Sequence, residues 1–129
     1  MTVITKTIKV DFKGENDMVD ITDQTLKAIL ESKLKNGIVI IFVSGSTAAV
    51  TTIEYEPDLR RDFPTMLNRI IPKDLEYKYD EIWRDGNGHS HVRASLIGDD
   101  MIKKLHHIMT YSLHSGVALK LDHYEDSSS

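Results

Sequence analysis

Ile38-Val39-Ile40-Ile41-Phe42-Val43 is an unbroken apolar run, mostly β-branched, bounded by Asn36-Gly37 before it and Ser44-Gly45 after it. A half-solvated strand or an amphipathic helix would interrupt such a run with polar residues. Its length and β-branching predict a strand buried on both faces. A chain with such a strand needs layers to cover both faces, and the flanking sequence offers helices for that purpose.

Thr22 is a plausible N-cap, and Leu26, Ile29, Leu30 and Leu34 follow on one helical stripe that ends at Asn36-Gly37. Pro57-Asp58 opens a second helical pattern carrying Leu59, Phe63, Met66, Leu67 and Ile70, which Pro72 closes. Pro64 inside it predicts a start near Asp62 or a bend there. Residues 2–12 alternate and are β-branched, predicting an edge-like strand before a turn at Gly14-Glu15-Asn16-Asp17. Val50–Tyr55 reads as a strand and residues 73–88 as a long loop. His89–Leu96 alternates, with Val92, Ala94 and Leu96 on one side and His89, His91 and Arg93 on the other, and predicts a further strand. Asp99–Leu113 reads as a helix with Ile102, Leu105, Met109 and Leu113 on one face. Val117–Leu121 is a last strand, expected to rejoin the sheet beside the histidine strand. The whole is an α+β domain spanning residues 1–129.

Composition narrows the function. Hydrophobic residues make up 40% and charged residues 28% of 129, enough to bury a real core in one domain. A net charge of −4 gives no field to gather nucleic acid or an anionic membrane. There are no cysteines, which excludes disulfides and thiolate metal sites. The apolar run is far short of membrane-spanning length, and MTVITKTIKV is too polar for a signal peptide, so a cytoplasmic protein is expected.

Asp85-Gly86-Asn87-Gly88-His89-Ser90-His91 is the densest candidate site. On a strand, His89 and His91 project from one face with Cα atoms roughly 6.5–7 Å apart, near enough to ligate one zinc or similar ion with a third ligand from elsewhere. Arg93 continues that face and suits a phosphate or carboxylate. The competing reading is a solvated polar strand face. Ser44-Gly45-Ser46-Thr47 offers backbone amides and two hydroxyls to an anion, or is a tight turn. Glu54 and Glu56 are solubilising carboxylates or acid–base groups. Trp83 is a lid, a ligand platform or an interface anchor, with burial in the core or at a subunit contact the safer reading.

FVSGSTAAVTTIEYEPDLRRDF and WRDGNGHSHVRASLIG together resemble the YjbQ-like family, named for a secondary thiamine-phosphate synthase activity; the likeness runs from about residue 20 to residue 98. It implies a mixed β-sheet sandwich with two main helices that assembles as a homotrimer. It also implies joining an aminopyrimidine diphosphate to a thiazole phosphate with release of pyrophosphate. By the family's pattern Asp62, Asn87 and His91 are catalytic, and Ser46, Thr47, Asp85 and Arg93 hold the small phosphorylated ligand. A divalent ion, zinc or magnesium, would sit on His89 and His91. Tyr79 stands where the family has a histidine, and residues 99–115 depart from its pattern. The departure predicts weak or absent turnover with ligand binding preserved, so a non-catalytic metal- or phosphate-ligand-binding protein is the alternative.

Overall fold

The structure is a computed structural model and describes residues 1–106 and 116–120. In chain order it holds β1 (Asp17–Asp20), α1 (Thr22–Ser32), β2 (Asn36–Phe42), β3 (Ala48–Thr52), α2 (Pro57–Ile70), α3 (Lys78–Trp83), α4 (Gly88–Ile97), β4 (Asp100–His106) and β5 (Gly116–Lys120). The fold is α+β. β5 lies between β1 and β3, antiparallel to both, while β2 and β4 form a second antiparallel pair. The chain leaving α4 links the two: Gly98 accepts from the Val50 amide at 3.0 Å, and Asp99 accepts from the Val43 amide at 2.9 Å.

Local chemistry explains where the helices start. The N-cap position of α1 is Ile21 rather than Thr22, and Asp20 just before it accepts through Oδ1 from the Thr22 amide at 2.9 Å and from its hydroxyl at 2.5 Å. α1 ends at Ser32, before Asn36-Gly37, with Lys33 left-handed at φ 59°. α2 begins at Pro57, not near Asp62: Glu56 accepts from the Leu59 amide, and Pro57 sits in the first turn, where its missing N–H costs nothing. Pro64 stays inside the helix at the loss of one ladder bond, the one to the Arg60 carbonyl. Met18, Ala49, Leu67 and Ala94 form the core, flanked by Ile53, Tyr55, Phe63 and Ile97.

Several expectations are corrected. Residues 2–12 form no ladder among the described residues; they run beside α1 and β2 and line with them a cleft of about 850 Å³. β-propensity needs a paired edge to become a strand, and the missed strand is β1, whose four residues are too few to show a period. β2 is not covered on both faces: Ile38, Ile40 and Phe42 are exposed. The 73–88 loop contains α3, and the histidine strand is the helix α4. Its buried face is His89, Ser90, Arg93 and Ala94, with Val92 and Leu96 outside. A helix whose inner face is polar carries no hydrophobic period of 3.6, and the alternation of Val92, Ala94 and Leu96 imitated a period of 2. Residues 100–106 are not helical: Asp100 to His106 pair in register with Phe42 to Asn36, and that seven-residue ladder overrides the helical stripe. The rest of the expected helix, 107–113, lies outside the described residues. The last strand has no histidine strand to join and instead bridges β1 and β3.

Candidate functional site

The corner between α3 and α4 is built by its turns. α3 ends at Arg84, left-handed at φ 59°, and Gly86 follows at φ 67°. Asn87 then starts α4 and accepts from the amides of Ser90 and His91 through its carbonyl at 2.9 and 3.3 Å. Asp80 of α3 accepts from the Gly88 amide at 2.9 Å, so one carboxylate anchors the first turn of α4 to the preceding helix. The two helices meet so closely that a Cβ on Gly88 would lie 2.7 Å from Tyr77 Cβ. Only glycine fits there.

On a helix, positions two apart diverge by roughly 200°, so α4 sends His89 and His91 in opposite directions. The inward side takes His89 and Arg93, four residues apart and both fully buried. His89 Nε2 lies 2.7 Å from Glu15 Oε1; a carboxylate can only accept, so Nε2 carries the hydrogen. Lys73 donates to the other Glu15 oxygen at 2.9 Å. Arg93 spreads its guanidinium over the Ile71 carbonyl (3.0 and 2.8 Å), Asn68 Oδ1 (2.9 Å) and Asn16 Oδ1 (3.0 Å), with Glu15 at 3.6 Å. Burial pushes the Glu15 carboxyl up, but the hydrogen bonds and charges of Lys73 and His89 outweigh it and leave the group below its ordinary value. Burial also lowers Arg93, against the pull of Glu15. This network ties the 14–17 turn, α2 and α4 together.

The outward side is a shallow groove of about 400 Å³ lined by Tyr77, Lys78, Tyr79, His91, Val92 and Ser95. His91 is half-buried, its ring 4.3 Å from that of Tyr79, which in turn stands 6.2 Å from Trp83. Burial, then the carboxylates of Asp85 and Asp80, raise the Tyr79 hydroxyl above the usual phenol range. Two polar atoms in this corner have no hydrogen-bond partner among the described residues: Asn87 Oδ1 and His89 Nδ1, both buried.

The expected site residues therefore separate. His91, Asn87 and Asp85 gather around the first turn of α4. Arg93 is turned inward, and its guanidinium is occupied by protein acceptors rather than presented to a phosphate. Ser46 and Thr47 lie on the turn between β2 and β3, where Thr47 borders the 850 Å³ cleft instead of the His91 groove. Asp62 is exposed on α2 and does not line the groove. The shared face expected of His89 and His91 does not exist. Among the described residues no group of three or more histidines, cysteines, aspartates or glutamates is placed to hold a metal ion. Trp83 is exposed in the single chain, so core burial is overturned, whereas the subunit contact also expected for it concerns a second copy. Sequence reasoning missed Glu15 and Lys73, which lie 74 and 16 residues from His89 and share no local pattern with it. No helix among the described residues is long and apolar enough to cross a membrane.

Comparison with known proteins places this architecture. A UPF0047 protein of Methanocaldococcus jannaschii is 37% identical over 83 residues, covering 64% of this chain and 57% of that protein. One of Methanothermobacter thermautotrophicus is 33% identical over 98 residues, covering 76% of this chain and 67% of that protein. The chain thus matches less than two thirds of the first relative's length and about two thirds of the second's. Among solved structures, a YbjQ-like protein of unknown function from Sulfolobus solfataricus superimposes with a TM-score of 0.81 at 30% identity, over 88% of this chain and 82% of that one. A hypothetical protein from Aeropyrum pernix shares the fold at 20% identity, with a TM-score of 0.78 over 89% of this chain and 85% of that one. Residues 6–107 match the family described as UPF0047 protein YjbQ-like, and the chain belongs to that family.

Proposed function

We propose that the groove between α3 and α4 binds a small phosphorylated ligand, with His91 as the group that meets it. One observation carries this reading: of the two histidines of α4, His91 alone faces the groove, half-exposed against Tyr79 at 4.3 Å and lined by Lys78. A protonated imidazole and an ammonium suit phosphate oxygens. The reaction that fits the family resemblance joins an aminopyrimidine diphosphate to a thiazole phosphate. The thiazole ring nitrogen supplies the electron pair, the new C–N bond forms at the pyrimidine methylene, and the C–O bond to pyrophosphate breaks. The leaving pyrophosphate needs charge neutralisation and a proton, which His91 would donate from its imidazolium. Asn87 and Asp85, in the turn that leads into α4, do not line the groove themselves and would serve the ligand only at its edge. No step is routed through a metal.

A second reading, ligand binding without turnover, is favoured by Arg93, whose guanidinium is committed to the interior, and by Thr47, which borders the other cleft. The proposal includes a cytoplasmic homotrimer, supported by the exposed Ile38, Ile40 and Phe42 on β2, which suit an assembly contact. Light scattering giving a monomer mass at micromolar concentration would contradict the trimer.

The functional test incubates the protein with both substrates and follows pyrophosphate release. Release that drops by about 10²-fold or more in a folded His91→Ala variant supports the transferase reading. Ligand binding without release supports the second. Binding of neither substrate overturns both.

A further inference from the structure

Trp83 is the chain's single tryptophan and stands 66% exposed at the end of α3, beside Ile82 at 75%. An indole left in water forgoes one of the largest burial energies open to a side chain, so the position calls for a use other than core packing. Its surroundings indicate one. Trp83 and Tyr79 are four residues apart on α3 and share a face, with ring centroids 6.2 Å apart and planes inclined by 31°. Tyr79 stands against His91 of α4 at 4.3 Å and 43°. Tyr79 thus neighbours both Trp83 and His91, and Tyr79 and His91 line the groove, with Trp83 just outside its lining.

We propose that Trp83 is a specificity-determining residue of this groove: it extends the Tyr79–His91 pair into a stacking platform that selects ligands carrying a planar, electron-poor or cationic heteroaromatic ring. The proposal rests on the reading that the groove takes a small phosphorylated ligand and assigns to Trp83 the recognition of that ligand's ring. The faces of indole and phenol are electron-rich and attract a ring of opposite character. The carboxylates of Asp80 and Asp85 add negative potential, felt at the Tyr79 hydroxyl. A neutral aliphatic phosphate would meet only His91 and Lys78 and leave the platform unused. The groove, about 400 Å³, lies at the small end of the range for small-molecule sites, which suits one ring and one phosphate.

Because Trp83 is the only tryptophan, its fluorescence reports this position alone. Wild type, Trp83→Phe and Trp83→Ala are titrated by calorimetry with thiamine monophosphate and with glycerol phosphate, and wild type is also followed by emission. Far-UV circular dichroism establishes that each variant is folded. Stacking predicts saturable quenching by thiamine monophosphate and affinity about tenfold or more weaker in Trp83→Ala. Trp83→Phe should lie between the two, and glycerol phosphate affinity should be equal in all three. Thiamine monophosphate binding that is unchanged in Trp83→Ala overturns the role of Trp83 while leaving the groove reading standing. Failure of both phosphates to bind wild type overturns the groove reading and this one with it. Trp83 emission that is blue-shifted in the free protein and moves red on dilution places a second copy over the indole and also overturns the proposal.

Discussion

Replacing Arg93 with methionine removes the charge at the centre of the buried network while keeping most of the side-chain volume, so little of the effect comes from a cavity. The loss is polar. The Ile71 carbonyl gives up two hydrogen bonds, Asn16 and Asn68 one each, and Glu15 loses a cation at 3.6 Å. Asn68 is exposed and can turn to water, but the Ile71 carbonyl has no such option, and Glu15 is only 16% exposed. Breaking a buried ionic network by removing one partner costs about 3–5 kcal/mol, a large share of the roughly 5–15 kcal/mol that holds a domain of this size together. In urea, with a slope of about 2 kcal/mol per molar, the midpoint should fall by roughly 2 M. Arg93→Lys should fall between the two, because an ammonium cannot span the carbonyl and both amides. Urea denaturation followed by circular dichroism measures all three. A stability for Arg93→Met within about 0.5 kcal/mol of wild type would refute the reasoning and return Arg93 to the role of a ligand-facing cation.

Gly88→Ala should destabilise by about 1–3 kcal/mol in thermal melts, since the new Cβ would sit 2.7 Å from Tyr77 Cβ. Val92→Asp, which a buried strand face would not tolerate, should stay within about 0.5 kcal/mol of wild type by urea denaturation, because Val92 is 46% exposed on the outside of α4. Glu15 gives the acid limb of stability its sign. Its folded pKa lies below its ordinary 4.5, so its contribution is present above the unfolded value and is lost as pH falls through the folded one. Stability measured from about pH 6 down to about pH 3 should therefore drop more steeply in wild type than in Glu15→Gln, and parallel curves would contradict the Lys73–Glu15–His89 arrangement.

The legible parts of this fold are those where hydrophobic period and burial agree. α1 shows Ile29 buried with Leu26 half-buried on its stripe, and α2 buries Leu67 with Phe63 half-buried, while β2 was legible from its unbroken β-branched run although Ile38, Ile40 and Phe42 are exposed. α4 was illegible because Arg93, His89 and Ser90 face inward: the charge and polarity that signal a surface elsewhere are here satisfied by residues from distant turns. β4 was illegible for another reason. Its apolar residues fit a helix as well as a strand, and the partner that decides, β2, lies some sixty residues away. The site shared both fates. Asp85, Asn87 and His91 stood out because they fall in one short stretch, while the spacing of His89 and His91, taken as one face, becomes two opposite faces once the segment is helical.

The central claim is that the two histidines of α4 have separate tasks, His91 at the ligand and His89 in the interior. Imidazole carbon-bound proton resonances of both, followed by NMR as thiamine monophosphate is added, test it most directly. The account predicts that the His91 signals move and saturate while those of His89, held by Glu15, stay in place. Movement of His89 with His91 unaffected, or of neither, would contradict it.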